Sequence, residues 1–331
     1  MDPSLSKNFK TSRGLNYHYY FSPAQDGKVT LFFAHGFPSN ADSWHKQASF
    51  FRNLGYGVLV PDLLGYGGTD KPMDTESYRF KLMVVDMTEI FDHEKVEKLI
   101  AIGHDWGVGL VSRQANYYHD DARYVAFAFF AVAYQPPSPD FDIGAVNAMT
   151  QQLLGYETFG YWNFFAKDED AAKIIQEHLE SFYSLGFAAD PTLWKDHFAP
   201  TGALKKWLLE DKKVDEIDEW AKDPQEFKLQ TGHIEKNGVA AAFNWYKGFV
   251  DKVQMKDDAE IPKEKYVITK PTFFGAALKD VICLATLGKQ IHTQLCPNTT
   301  VVDFETGHWV QNALPDKVNE ELLKWVKSVA S

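Results

Sequence analysis

Residues Gly103-His104-Asp105-Trp106-Gly107 constrain this chain more than any other stretch. An apolar run, Lys98-Leu99-Ile100-Ala101-Ile102, leads into them, and Val108-Gly109-Leu110-Val111 follows. A strand, a sharp turn and a helix are predicted there, with glycines two before and two after a central side chain. Such a turn strains the residue at its tip and crowds the flanking backbones, and glycine relieves the crowding. The tip residue here is an aspartate. No G-x-S-x-G or G-x-C-x-G occurs anywhere in the chain.

The identity of the tip residue selects the chemistry. A serine attacking an alkyl carbon would give an ether that the site could not hydrolyse. A carboxylate gives an ester, which activated water can open at the carbonyl. Asp105 therefore points to substitution at saturated carbon, with an epoxide oxygen or a halide leaving. Its reference pKa of about 3.9 makes it an anion at pH 7, and the helix N-terminus behind it favours that anion. A lone aspartate before a helix is more often its N-cap. The two glycines, and the partners described below, weigh against that simpler role.

The rest of the chain reads as strands alternating with helices. Strands are expected over residues 15–21, 28–34, 56–60, 98–102, 124–133, 272–276 and 299–304. Helices are expected over 41–54, 80–93, 108–119 and 317–329. That alternation indicates a doubly wound, mostly parallel sheet. After Tyr134-Gln135-Pro136-Pro137-Ser138-Pro139 the strand signals stop. Helical spacing occupies 143–154, 171–183, 202–209, 216–231 and 239–250. The expected architecture is an α/β core made of residues 1–135 and 251–331, interrupted by an all-helical lid over 136–250. Ligands should bind between the two, at the carboxyl ends of the strands.

Composition excludes several classes. With 45 acidic against 34 basic residues and a net charge of −11, the chain is a poor match for nucleic acid or an anionic membrane. Met1 to Lys10 holds no signal-peptide core. The longest apolar run, residues 124–134, is too short to span a bilayer. Two cysteines, Cys283 and Cys296, have no metal-binding or disulfide spacing. A reducing, cytoplasmic location is expected. No membrane anchor, metal or organic cofactor is expected, and the chain should act as a monomer or homodimer.

Hydrolysis of an ester on Asp105 needs a base. Among eleven histidines, His308 stands out by position, in Glu305-Thr306-Gly307-His308-Trp309 directly after the last strand. Its imidazole, with a reference pKa near ~6.5, can take a proton from water. His104 adjoins the tip, but consecutive side chains diverge there, so it reads as packing. An acid must orient the base. Asp280 follows the strand at 272–276, while Asp303 and Glu305 are closer in sequence. The oxyanion formed on ester hydrolysis needs backbone N–H donors. Trp106, next after the tip, and Phe37, in His35-Gly36-Phe37-Pro38 after an early strand, are the candidates.

These residues, with Gly65-Tyr66-Gly67 and Asn244-Trp245-Tyr246, resemble the soluble epoxide hydrolases of the α/β-hydrolase fold, and the likeness runs nearly the length of the chain. The chain order nucleophile, acid, histidine is that of the hydrolase class. The resemblance implies two lid tyrosines that hold the epoxide oxygen opposite the nucleophile. It maps one onto Tyr246 and the other onto Tyr161, with Tyr156 as a nearby alternative. Trp106, Phe37 and Trp309 would touch a small apolar epoxide. A haloalkane dehalogenase shares the aspartate and the following tryptophan, and would need indole or amide donors for its halide. Phe37 offers no such side chain, although Trp162 or Trp245 could supply a second indole. The remaining alternative is a non-catalytic binding protein on the same fold.

Overall fold

The computed structural model describes residues 1–330. Eight strands form one sheet: β1 (Ser6–Lys10), β2 (Asn16–Ser22), β3 (Thr30–Ala34), β4 (Gly57–Pro61), β5 (Leu99–His104), β6 (Tyr124–Phe130), β7 (Thr272–Ala277) and β8 (Thr299–Phe304). Their order across the sheet is β1-β2-β4-β3-β5-β6-β7-β8. The β1–β2 and β2–β4 pairs are antiparallel, and every later pair is parallel. The strand order reverses around β3 and β5, which is where a doubly wound sheet opens a crevice at its carboxyl edge.

The parallel strands are apolar on both faces because helices cover both. Leu31 and Phe33 of β3 and Ile100 and Ile102 of β5 point to one face, where Phe51, Leu322 and Trp325 meet them. Phe32 and Ala101 point to the other, against Met83, Ile90 and Leu110. The last helix, Pro315–Val329, shows why the chain folds this way. Proline opens it, and Val318, Leu322, Trp325 and Val326 form the buried stripe.

β1 has no strand signal because it is an edge strand, polar and mostly exposed. Its lysines are the sort of side chain that blunts an edge against further pairing. β6 stops at Phe130, short of the expected 133. Its pairing with β7 ends at Gly275, and Ala131 then turns the chain with φ +59.

Between β6 and β7 the ordered elements are helical. Some expected helices are broken where local chemistry requires it. Residues 171–183 divide at His178 into Ala171–Glu177 and Leu179–Gly186. Residues 216–231 divide at Asp223-Pro224, where the Asp223 carboxylate accepts from the Gln225 N–H and starts the helix Pro224–Asn237. The helices Tyr161–Lys167 and Ala285–Leu295 were not foreseen.

One ion pair binds the root of this helical segment to the core. Arg113, on the helix Trp106–Tyr117, donates through Nε and Nη2 to the two oxygens of Asp258 at 2.8 and 2.7 Å. Oδ2 of Asp258 also accepts the Ser138 N–H at 2.8 Å. The Gln135 carbonyl accepts from Nη1 of Arg113 at 2.7 Å, so the guanidinium and the Asp258 carboxylate join the chain just after β6 to the chain ahead of β7.

Candidate active site

Asp105 lies between β5 and the helix Trp106–Tyr117 with φ +51 and makes no side-chain cap bond to that helix. The capping role is thereby excluded. The turn is as tight as the glycines implied: a Cβ on Gly107 would lie 2.2 Å from the Ala34 carbonyl oxygen. A Cβ on Gly36 would lie 2.2 Å from Oδ1 of Asp105, so only glycine lets the loop after β3 approach the carboxylate.

The two oxygens of Asp105 have different partners. Oδ1 accepts the Phe37 N–H at 2.8 Å. Oδ2 lies 3.4 Å from Nε2 of His308. On the other side of that ring, Nδ1 is 2.7 Å from Oδ2 of Asp280. Asp280 in turn accepts the N–H groups of Ile282 and Cys283 on Oδ1, both at 2.9 Å. Asp105, His308 and Asp280 thus form one continuous chain. Asp303 is engaged elsewhere, paired with Lys289, and Glu305 lines an outer cavity on the far side of His308.

Burial raises the carboxyls of Asp105 and Asp280, but the charge and hydrogen bonds of His308 outweigh it, and both lie below their ordinary pKa. Burial pushes His308 down, but Asp280 and then Asp105 push it well above the ordinary histidine value. With both carboxylates ionised, the charged form of the ring is favoured.

Tyr161 and Tyr246 line the same small cavity as Asp105, His308 and Phe37. Their rings lie 6.0 Å apart between centroids. Burial, followed by the charge of Asp105 for Tyr161 and of Tyr161 and Asp105 for Tyr246, holds both phenols well above the usual tyrosine range. Tyr156 lies elsewhere: its hydroxyl donates to the Val281 carbonyl at 2.6 Å, and it faces an outer groove with Lys195. A larger cavity of about 390 Å³ opens on the other side of Asp105, with Trp106, Phe141, Phe159, Trp162, Phe249 and Ile291 in its walls. Trp106 borders this larger cavity, whereas Phe37 and Trp309 border the small one and not the larger.

Asp280, Cys283 and His308 each offer an atom within 4.8 Å of the others. Their chemistry does not suit a cation, because Asp280 is spent on hydrogen bonds and burial pushes the Cys283 thiol up to about 12. Sequence reasoning missed two supports. His104 is more than packing: its Nε2 lies 2.8 Å from the His308 carbonyl, and burial lowers it to about 3, so it is a neutral donor that fixes the histidine loop. His35 accepts the Leu63 N–H on Nε2 at 3.0 Å, and its Nδ1 lies 2.9 Å from the Gly36 carbonyl, which shapes the loop that presents Phe37. Burial next to a motif glycine was the only available signal for either.

Residues 29–312 match the alpha/beta hydrolase fold family. The chain belongs to that family. Its mostly parallel sheet, its elbow at Asp105 and its order of aspartate, aspartate and histidine are those of an α/β-hydrolase fold. The chain is 25% identical over 319 residues to epoxide hydrolase A of Mycobacterium tuberculosis, covering 91% of each. It is 26% identical over 301 residues to the mouse bifunctional epoxide hydrolase 2, covering 90% of this chain and 51% of that protein. The chain therefore spans about half the length of the mouse and rat relatives it matches. Epoxide hydrolase A from Mycobacterium thermoresistibile superposes with a TM-score of 0.79 at 24% identity, covering 98% of both chains, and shares the fold. No helix among the described residues is long and apolar enough to cross a membrane.

Proposed function

We propose that this hydrolase-fold chain is an epoxide hydrolase that makes vicinal diols. The observation that carries the reading is one small cavity bordered by Asp105, His308 and the buried phenols of Tyr161 and Tyr246. A carboxylate opposite two neutral O–H donors suits a strained ring whose carbon is attacked while its oxygen departs. The named activities of the relatives agree with it.

In the proposed cycle Oδ2 of Asp105 attacks a ring carbon and the C–O bond breaks. The departing oxygen takes a proton from one phenol and a hydrogen bond from the other. The new ester has no charge, so His308 loses one of the two carboxylates that raise it, gives up its resting proton to solvent and can act as a base; it regains a proton from solvent once Asp105 is ionised again. Water then adds to Cγ of Asp105 and gives a proton to Nε2. The oxyanion develops on Oδ1, which already sits against the Phe37 N–H, with Trp106 as the second donor. The Cγ–Oδ2 bond breaks and Oδ2 leaves with the diol. One proton of the water reaches the leaving oxygen through His308, and the other restores the phenol. Asp280 holds the ring and stabilises its charged form.

Residues 136–250, which carry both tyrosines, act as a lid on the core of 1–135 and 251–331. The substrate is a small apolar epoxide whose carbon skeleton occupies the larger cavity, where the walls are aromatic and aliphatic. The unpaired Cys283 and Cys296 suit a reducing, cytoplasmic setting. The deciding experiment is diol formation from styrene oxide by the native chain and by Asp105→Ala. Diol from the native chain alone supports the reading, and no diol from folded native protein overturns it.

One observation favours a second reading, cleavage of a carbon–halogen bond. The indole N–H groups of Trp106 and Trp162 are buried without partners beside Asp105. Trp245 is not available, since its N–H donates to the Leu64 carbonyl at 2.9 Å. Halide release from a chloroalkane that survives Tyr161→Phe and Tyr246→Phe would support this alternative.

A further inference from the structure

The space around Asp105 has two approaches of opposite character. The larger cavity of about 390 Å³ is apolar and reaches Asp105 past Trp106, Ile282 and Cys283. A separate cavity of about 240 Å³ lies behind His308, bordered by Asp218, Lys279, Glu305 and Thr306. Four residues, Gly186, Trp194, His308 and Trp309, border both this rear cavity and the small chamber that holds Asp105 and the two tyrosines. His308 is thus a shared wall between the chamber and a polar compartment.

We propose that the rear cavity is a water site that supplies the hydrolytic step, independently of the route used by the epoxide. This rests on the epoxide-hydrolase reading given above. Its volume holds several waters at about 30 Å³ each. The chamber itself, at about 40 Å³, has room for one water next to His308 and Asp105. During the ester state the alkyl group obstructs the apolar side. Water from that side would have to pass the bound product skeleton, whereas water from behind His308 would not.

Gly186 gives a direct way to block the passage. It ends the helix Leu179–Gly186, and a Cβ built there meets no atom within 4 Å. A larger side chain therefore grows into the junction rather than into packed protein. Gly186→Val blocks the junction, and Ala313→Leu narrows the rear cavity from its outer wall. Rapid-mixing experiments with styrene oxide separate ester formation from ester hydrolysis. The expected result is a fall of about tenfold or more in ester hydrolysis for Gly186→Val, exceeding any fall in ester formation, and a smaller fall in hydrolysis for Ala313→Leu with ester formation unchanged. Two variants guard against misfolding of either. Unchanged hydrolysis in the variants that fold would overturn the proposal. So would an equal slowing of both steps, which would make the junction part of the epoxide route. If no ester forms in the native chain, the failure lies with the epoxide-hydrolase reading instead.

Discussion

The Phe37 N–H donates to Oδ1 of Asp105 at 2.8 Å. One oxygen of the carboxylate is therefore held by backbone before any substrate arrives, and only Oδ2 is free to attack. After ester formation the carbonyl oxygen already occupies the position where negative charge will develop. The donor needs no rearrangement at that moment, which is the basis of electrostatic preorganisation.

This asymmetry predicts an isotope pattern. In water enriched in oxygen-18, the first turnover should give unlabelled diol and a labelled Asp105, because Oδ2 departs and the water oxygen replaces it. The second turnover should give labelled diol. Mass spectrometry of product and of the peptide holding Asp105 reads both. Label in the first-turnover diol would mean direct attack of water on the epoxide.

Removing the base should stop the cycle half-way. His308→Gln is expected to form the ester and retain it, visible as a mass increase on the Asp105 peptide. Asp280→Asn should slow hydrolysis by about 10²–10⁴ with little effect on ester formation. Normal turnover by His308→Gln would remove His308 from the mechanism.

The two half-reactions should respond differently to pH. Asp105 lies below the ordinary carboxylate pKa, so ester formation should persist into acid, below about pH 4. Hydrolysis requires neutral His308, and the ester lacks the Asp105 charge that helps raise it. Asp280 still raises the ring in the ester, so ester should accumulate as the pH falls through the pKa that His308 has in that state. Both phenols are raised well above their usual range, so ester formation should not decline near pH 10, where an ordinary tyrosine ionises. Quenched-flow measurements across pH separate these limbs.

Stability has its own pH dependence. Asp280 is lowered on folding, so its contribution is complete above the unfolded value of about 3.9 and disappears as the pH falls through the lowered one. His308 is raised, so its contribution is complete below about 6.5 and disappears as the pH rises through the raised value. The melting temperature of Asp280→Asn should accordingly fall short of the native value most between these limits. A constant difference from acid to alkali would contradict the linkage.

Removing Asp258 should be far more damaging than removing any exposed carboxylate. Asp258→Ala leaves the Arg113 guanidinium buried without its counter-charge and is expected to cost about 3–5 kcal/mol. Arg113→Met with Asp258→Leu should recover most of that loss, because no charge is then stranded. Denaturant titration of the native chain and the two variants measures both effects.

The sheet and the elbow were legible because their signals are local. The alternation of apolar strands and helices, and the glycines around Asp105, lie within short windows. His308 and Asp280 could be chosen because each follows a strand whose carboxyl end must face the elbow. The lid was harder to read. Its helices break at His178 and Asp223 for reasons of capping and proline, and the placement of Tyr161 in the chamber while Tyr156 faces outward depends on packing between helices. His104 and His35 act through backbone carbonyls and amides far away in sequence, and no periodicity records such contacts. The charged state of His308 likewise depends on two carboxylates at 2.7 and 3.4 Å, distances that exist only after folding.

The meeting of residues 138 and 258 on Arg113 has an evolutionary reading. An excursion whose two ends coincide can be shortened, lengthened or exchanged without shifting the strands beneath it. Its anchor borders the larger cavity beside Asp105, so the walls of that cavity can change while the strands stay in place. A scaffold rooted in this way can acquire new substrates by varying its roof, provided that the positions of Tyr161 and Tyr246 on that roof are kept.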